Sequence, residues 1–303
     1  MKKFTSQEIK EFVSKAMFDE KIILNKDHSY PKISIVTPSY NQAEFLERTI
    51  LSVLNQNYPN LEYIIIDGGS TDNTLDIIHH YAKKLAFFQS KPDDGQADAI
   101  KQGFARATGD ILLWVNSDDL LLPDALTDIA RYFIRHPNVD LVIGRSIIID
   151  SDARVLRKIW PVKPSFESLY YWGCGFNQVA SAWRRTLYDD VGGIDPSLHF
   201  CMDYDLYLRF LHKCKVGIIP RYLAAYRIHS ASKSSTLRKI QVKERRLIKQ
   251  KWFGHPRLKC NPQLIKLHTQ LQAYIQRGIA RTFTLPPKIY AWLSYLHSSP
   301  KSE

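Results

Sequence analysis

The run Ile111-Leu112-Leu113-Trp114-Val115-Asn116-Ser117-Asp118-Asp119 ends an apolar stretch on two adjacent carboxylates. Five apolar residues in succession suit a strand buried on both faces, as in a parallel sheet. Two carboxylates at its mouth repel, and each raises the other's pKa unless a cation sits between them. Oxygen ligands at the C-terminal end of a strand suit Mg²⁺ or Mn²⁺ carrying a phosphate group. The same residues also fit a plainer role, capping the turn before a helix that starts at Pro123.

Working outward, the β-branched run 33–37 reads as a first strand that ends at Pro38. Pro38-Ser39-Tyr40-Asn41 follows, then a helical face of Phe45, Leu46, Ile50, Val53 and Leu54. Asn41 and Glu44 have capping-box spacing. A second strand, 61–66, leads into Asp67-Gly68-Gly69-Ser70-Thr71-Asp72 and a helix over about 74–85. Asp93-Asp94-Gly95-Gln96 then opens a helix over about 96–107. Strand and helix alternate, so the pattern specifies an open, mostly parallel α/β sheet. Ligands bind such sheets beyond the carboxyl ends of the strands, where Tyr40, Asp67, Asp94, Asp118 and Asp119 all fall. A dinucleotide-binding oxidoreductase is disfavoured, because the first βα turn lacks the glycines that admit a pyrophosphate. No phosphate loop ending in Gly-Lys-Ser/Thr occurs either.

Residues 31–229 resemble a family 2 glycosyltransferase of the GT-A fold. The resemblance rests on Val-Thr-Pro-Ser-Tyr-Asn (36–41), Ile-Asp-Gly-Gly-Ser-Thr-Asp-Asn-Thr (66–74) and Asp-Asp-Gly-Gln-Ala-Asp-Ala-Ile (93–100). Ala-Thr-Gly-Asp-Ile (107–111) and Asn-Ser-Asp-Asp (116–119) continue it in order. It implies an inverting transfer of a sugar from a nucleotide-sugar, most often UDP-linked, with Mn²⁺ or Mg²⁺ as cofactor. By position, Pro38 and Tyr40 would flank the base and Asp67 would bond its ring nitrogen. Asp94, Gly95 and Gln96 would join the nucleotide site, Asp118 would face the ribose, and Asp119 would bind the metal. His229, after Tyr226-Arg227-Ile228 at the end of an expected strand, would complete the metal or diphosphate site; a structural role is equally open.

An inverting transfer also needs a base for the acceptor hydroxyl. The family places an acidic pair after a Gly-Gly-hydrophobic-Asp stretch, here Gly192-Gly193-Ile194-Asp195. The first acid of that pair is Met202 in this chain. Asp203 keeps the second position and is the expected base, with Asp205 as the fallback. A carboxylate stabilised by the helix dipole is the plainer role for Asp203. Lys101 stands where the family commonly has Asn, and reads as a solvated helix residue. Trp172, Gln178 and Trp183 are candidates for the acceptor side, since aromatic and amide groups suit sugars; packing against the sheet is their alternative.

The net charge of +12 is uneven. Residues 231–303 hold 15 Lys/Arg and 2 Glu/Asp, so the remainder holds 27 and 28, a balance of +13 against −1. Basic residues from Arg238 to Lys251 interleave with Ile240, Val242, Leu247, Ile248, Trp252 and Phe253, the pattern of a basic amphipathic helix. A helical cap on the catalytic domain and contact with an anionic membrane, where a lipid-linked acceptor would sit, are the two leading readings. Nucleic acid is not expected as a partner. The expected organisation is a helical extension (1–30), a GT-A domain (31–230, with a hinge at 161–164 between nucleotide and acceptor halves) and a basic helical extension (231–303). Thr5 and Glu8 form a capping pair at the start of the first helix. No apolar stretch reaches the roughly 20 residues of a spanning helix. Cys174, Cys201, Cys214 and Cys260 lack metal-type spacing, so a cytoplasmic protein, at the inner membrane face for a lipid-linked acceptor, is the expectation. The expected function is transfer of a sugar to a glycan or lipid-linked acceptor in surface-glycan synthesis. A sugar-nucleotide-binding scaffold and a nucleotidyltransferase remain as alternatives.

Overall fold

The computed structural model describes residues 4–24, 29–230, 232, 238–259 and 267. Four strands, β1 (Ile33–Ser39), β2 (Leu61–Asp67), β3 (Phe87–Ser90) and β4 (Ile111–Trp114), lie parallel in the order β3-β2-β1-β4. Side chains alternate between the two faces. Ile33, Ile35, Tyr63, Ile65, Ile111 and Leu113 enter one core, whereas Val36, Ile64, Ile66, Leu112 and Trp114 enter the other. Burial on both faces explains why β4 reads as an unbroken apolar run. Helices α3 (Leu46–Leu54), α4 (Thr74–Tyr81) and α5 (Gln96–Arg106) make the crossovers. Ser39 pairs with Asp67, and Asp67 with Ser90, so the loops after the three strands open on one edge. Strand order reverses between β1 and β4, which is where an open sheet of this kind forms its crevice.

The sheet continues through the second half of the chain. β8 (Ser181–Arg184) runs antiparallel between β4 and β6 (Leu141–Ile149). β9 (Val216–Arg227) lies parallel to β6, and the two-residue β5 (Leu120–Leu121) pairs antiparallel with β9. β7 (Val155–Ile159) pairs antiparallel with the far end of β6. Six of these nine strands, β1 to β4, β6 and β9, therefore run one way. Segment 161–164 does not separate two halves, since β8, from beyond it, is threaded between β4 and β6.

Helices cover both faces. α6 (Ala125–Arg135) joins α3 and α4 on one side. α7 (Phe166–Trp172), α8 (Arg185–Asp190) and α9 (Met202–Lys213) join α5 on the other. Two short N-terminal helices, α1 (Ser6–Phe12) and α2 (Glu20–Leu24), precede the sheet. The Thr5–Glu8 capping box forms, and Phe4, Ile9 and Phe12 pack on Leu120, Leu122 and Tyr222. The Asn41–Glu44 box does not form. Asn41 takes a left-handed conformation (φ 51°), and its Oδ1 accepts the Thr71 N–H at 2.9 Å, so its side chain ties two loops together instead. α3 then starts at Leu46 without a side-chain cap. The basic tail contributes α10 (Arg238–Lys251), which buries Ile248 in the second core. The basic and aromatic residues of the tail beyond 259, including Trp292, Tyr295 and Leu296, lie outside the described residues.

The packing of α5 on β1 depends on Gly103, where a Cβ would stand 2.4 Å from the Val36 Cγ1 atom. Gly103→Ala is expected to cost about 1–3 kcal/mol in urea unfolding, the usual penalty of overpacking. Gly175→Ala, where a Cβ meets nothing within 4 Å, is the matched control and should change stability little.

Candidate active site

The loops after β1, β2 and β4 form one rim of the crevice. Asp67, at the end of β2, is fully buried and organises its own loop. Its Oδ2 accepts the N–H groups of Gly69 (3.1 Å) and Ser70 (2.9 Å) and the Ser90 hydroxyl (2.6 Å), while Oδ1 accepts the Ser70 hydroxyl (2.5 Å). Pro38, expected beside a base, is buried inside β1; Tyr40, 59% exposed, is the member of that pair that faces outward. Asp94 is exposed, and Gly95, at φ 104°, starts α5. Asp93, beside Gly68, is held above the usual carboxylate range by burial and by the charges of Asp98, Asp67 and Asp94. Gln96 donates to Asn116 Oδ1 at 2.7 Å, and Asn116 donates to Asp119 Oδ2 at 3.0 Å. Gln178, expected on the acceptor side, donates to the Trp114 carbonyl at 2.9 Å and so braces the end of β4.

The two adjacent carboxylates have different surroundings. Asp119 is 1% exposed, and both its oxygens are engaged, Oδ1 by the Arg227 N–H (2.9 Å) and Oδ2 by Asn116. Burial, and then the charge of Asp118, push its pKa well up. The Asp118 side chain is 22% exposed, and its Oδ2 lies 3.0 Å from His229 Nε2. The His229 ring leans on Phe45, 4.7 Å between centroids. Arg227, fully buried, fixes this arrangement: its Nε donates to the Asp118 carbonyl (2.7 Å), and its Nη1 to the carbonyls of Asp150 (2.9 Å) and Ser151 (2.8 Å). Thr49 donates to the carbonyls of Ser117 and Asp119 from behind.

Asp118 and His229 fit a small octahedral cation. Neighbouring ligands on an ion with bonds of about 2.1 Å are about 3 Å apart, the separation observed here. An imidazole and a carboxylate suit Mn²⁺ as well as Mg²⁺. Among the described residues no three His, Cys, Asp or Glu side chains gather around such an ion. The protein would therefore supply two ligands and leave the rest to phosphate oxygens and water.

In the second half of the chain, α9 carries Asp203 in its first turn. Asp203 keeps part of its surface exposed, and burial of the rest raises its pKa to about 6. Asp205 is committed elsewhere: it is buried and paired with Arg209 (2.8 Å), whose Nη1 bonds the carbonyls of Val191 and Gly193. Met202 is core. Trp183 is a correction to the sequence reading, because it is fully buried among Trp114, Phe104 and Phe210 and offers no surface to an acceptor. Trp172, 47% exposed at the end of α7, does. Lys101 is exposed.

Sequence reading missed Glu244. This buried carboxylate, the one acid of α10, accepts the N–H groups of His199 (2.7 Å), Phe200 (2.9 Å) and Cys201 (2.8 Å). It thus satisfies the backbone donors just ahead of α9 and complements the positive end of that helix. A lone acid in a basic run is the only sequence signal it leaves.

A model of glycosyl transferase family 2 matches residues 34–192. An uncharacterized glycosyltransferase of Rickettsia typhi is 28% identical over 70% of this chain and 69% of its own length. One from Nostoc sp. is 31% identical over 66% of each chain, so this chain spans about two thirds of these relatives. Among solved structures, Staphylococcus aureus TarS 1–349 in complex with UDP-GlcNAc superposes with a TM-score of 0.58 at 16% identity, covering 84% of this chain and 76% of that one. The mannosyltransferase PcManGT of Pyrobaculum calidifontis, in complex with GDP-Man and Mn²⁺, also scores 0.58, at 17% identity, covering 96% and 86%. Both likenesses concern the fold, which is the GT-A fold.

Replacing Glu244 by Gln leaves charge-assisted bonds unmade at a helix start. Amide exchange at residues 199–201 is expected to quicken by about tenfold or more, equivalent to about 1.4 kcal/mol of lost protection, with β1 and β2 unchanged.

Proposed function

The chain belongs to glycosyl transferase family 2, and from that premise we propose an inverting transfer of a sugar from a nucleoside diphosphate sugar to an acceptor hydroxyl. The observations that support the reading are the contact of Asp118 with His229 beyond the end of β4 and the raised pKa of Asp203 in the first turn of α9. Asp118 and His229 are the proposed protein ligands of Mn²⁺ or Mg²⁺, in preference to Asp119, which is 1% exposed and bonded by Arg227 and Asn116. Asp119 acts instead as the anchor that holds the 116–119 loop to β9. When bound, the metal supplies positive charge to the departing diphosphate. Tyr40 offers a face to the base, and Asp67 orders the loop beneath it. Exposed Asp94 and half-buried Gly95 and Gln96 belong to the donor side of the same rim.

Asp203 takes the proton from the acceptor hydroxyl as that oxygen attacks the anomeric carbon, and the nucleoside diphosphate leaves from the opposite face. A carboxyl held near 6 is largely ionised at neutral pH yet more basic than an ordinary Asp, which suits a general base. UDP-linked sugar is the favoured donor; the UDP-GlcNAc of the TarS complex and the GDP-Man of the PcManGT complex support a nucleotide-sugar in general. A glycan or lipid-linked glycan is the proposed acceptor. Exposed Val242 and Phe253 beside Lys239, Lys243 and Arg246 support contact of the tail with an anionic membrane. No described helix is long and apolar enough to cross one.

Asp203→Asn should lower turnover by about 10²–10⁴-fold and leave nucleotide binding intact. In the native chain kcat/KM should fall about tenfold per pH unit below about 6, as the base protonates. The stability effect has the opposite sense. Folding raises this carboxyl's pKa, so its ionisation costs stability as pH rises from the unfolded value through about 6. Asp203→Asn should therefore melt higher than the native chain at pH 8 and not at pH 4; loss of nucleotide binding in this variant would contradict the role.

A further inference from the structure

α10 does more than cap α9. The Arg245 guanidinium lies flat on Gly173, where a Cβ would stand 2.9 Å from its Nη2, and Gly173 takes a left-handed conformation (φ 86°). Its carbon sits 5.2 Å above the Tyr204 ring, next in sequence to Asp203. The charges of Asp203 and Arg245 both act on the thiol of Cys174, which is exposed between them. Lys249, one turn further along α10, faces the Tyr170 ring at 5.1 Å. A cavity of about 380 Å³ opens here, walled by Tyr170, Arg245, Arg246, Lys249 and Phe253.

The cations in this cavity are unneutralised. Among the described residues neither Arg245 nor Lys249 has an ion-pair partner, and Arg245 Nε is buried without an acceptor. Glu244, next in sequence, is spent on the backbone of residues 199–201. Burial and the neighbouring Arg245 draw the Lys249 pKa down, the sign of like charges held together. Two cations kept side by side against aromatic walls are a receptor for an anion.

We propose that Arg245 and Lys249 form an anion subsite that receives a phosphate or carboxylate group carried by the acceptor, one step along the acceptor from the hydroxyl that Asp203 deprotonates. This rests on the transferase reading only for the position of that hydroxyl. It makes the acceptor an acidic molecule, either a lipid-linked phosphate or an acidic glycan. Gly173 is needed because any side chain would displace the guanidinium.

The test is calorimetric titration of inorganic pyrophosphate into the full chain in EDTA, which silences the metal site. Native protein should bind it saturably. Arg245→Gln combined with Lys249→Gln should weaken binding by about tenfold or more, whereas Arg245→Lys, which keeps the charge, should stay within about threefold. Asp118→Asn should bind as the native chain does, so failure here and failure of the metal-nucleotide reading are separable. Melting curves identify any variant that unfolds, and Lys249→Gln alone, expected to weaken binding by about threefold or more, decides the case if the double variant does. No binding by native protein would overturn the subsite, as would an equal loss in Lys239→Gln with Lys243→Gln on the exposed face of α10. Sedimentation with phosphatidylcholine vesicles holding about 20 mol % phosphatidic acid distinguishes the sources. Vesicle binding that falls with the double variant assigns a lipid phosphate; vesicle binding indifferent to it, with pyrophosphate binding lost, assigns a glycan-borne anion.

Discussion

The buried guanidinium of Arg227 holds the site together. It reaches from the end of β9 to the carbonyls of Asp118, Asp150 and Ser151, and its ring neighbour is Phe45, 4.9 Å below. Its backbone N–H binds Asp119 at the same time. One residue thus joins the 116–119 loop, the β6–β7 turn and the start of α3. Burial and nearby Arg48 draw its pKa down, while Asp119 and Asp118 oppose that shift. Removing the guanidinium would leave the Asp118, Asp150 and Ser151 carbonyls unmet, at about 1–3 kcal/mol for each such group cut off from water. Two residues after Arg227, His229 Nε2 meets Asp118 Oδ2 at 3.0 Å.

The proposed base is held differently. Asp203 stands on α9, whose approach is pinned by Glu244 from a helix more than thirty residues later in the chain. Base position and tail docking are therefore one mechanical problem. A carboxylate that the family ordinarily places beside the base is absent at Met202, and α10 brings one to the start of the same helix from outside. The same docking sets Arg245 over Gly173. Over Arg238–Lys251 the basic tail is a helix packed on the catalytic domain through Ile248, the cap that is one of the two leading readings of its sequence.

Much of this was legible in the sequence. Apolar runs ending in polar loops gave three of the four parallel strands and the edge on which Asp67, Asp94 and Asp118 gather, whereas the half-buried four-residue β3 left no such signal. The β8 insertion was not legible, since a four-residue strand between neighbours distant in sequence has no periodicity of its own. Roles within the Asp118–Asp119 pair were also hidden. Both are Asp at adjacent positions, and only the third dimension shows that one is buried and bonded by Arg227 and Asn116 while the other, partly exposed, is bonded by His229. Trp183 illustrates the same limit: aromatic residues near a sugar site read alike whether they face the sugar or the core. Asn41 had the spacing of a cap, but a left-handed turn and the Thr71 N–H captured its amide.

The most direct measurement is calorimetric binding of UDP and GDP to the full chain in Mn²⁺ and in EDTA, beside Asp118→Asn in Mn²⁺. One nucleotide should bind with Mn²⁺ and weaken by about tenfold or more in EDTA, and Asp118→Asn in Mn²⁺ should match the native chain in EDTA. Binding of either nucleotide that is indifferent to the metal and to Asp118, or no binding of either by folded protein, would contradict the assignment of this crevice as a metal-dependent donor site.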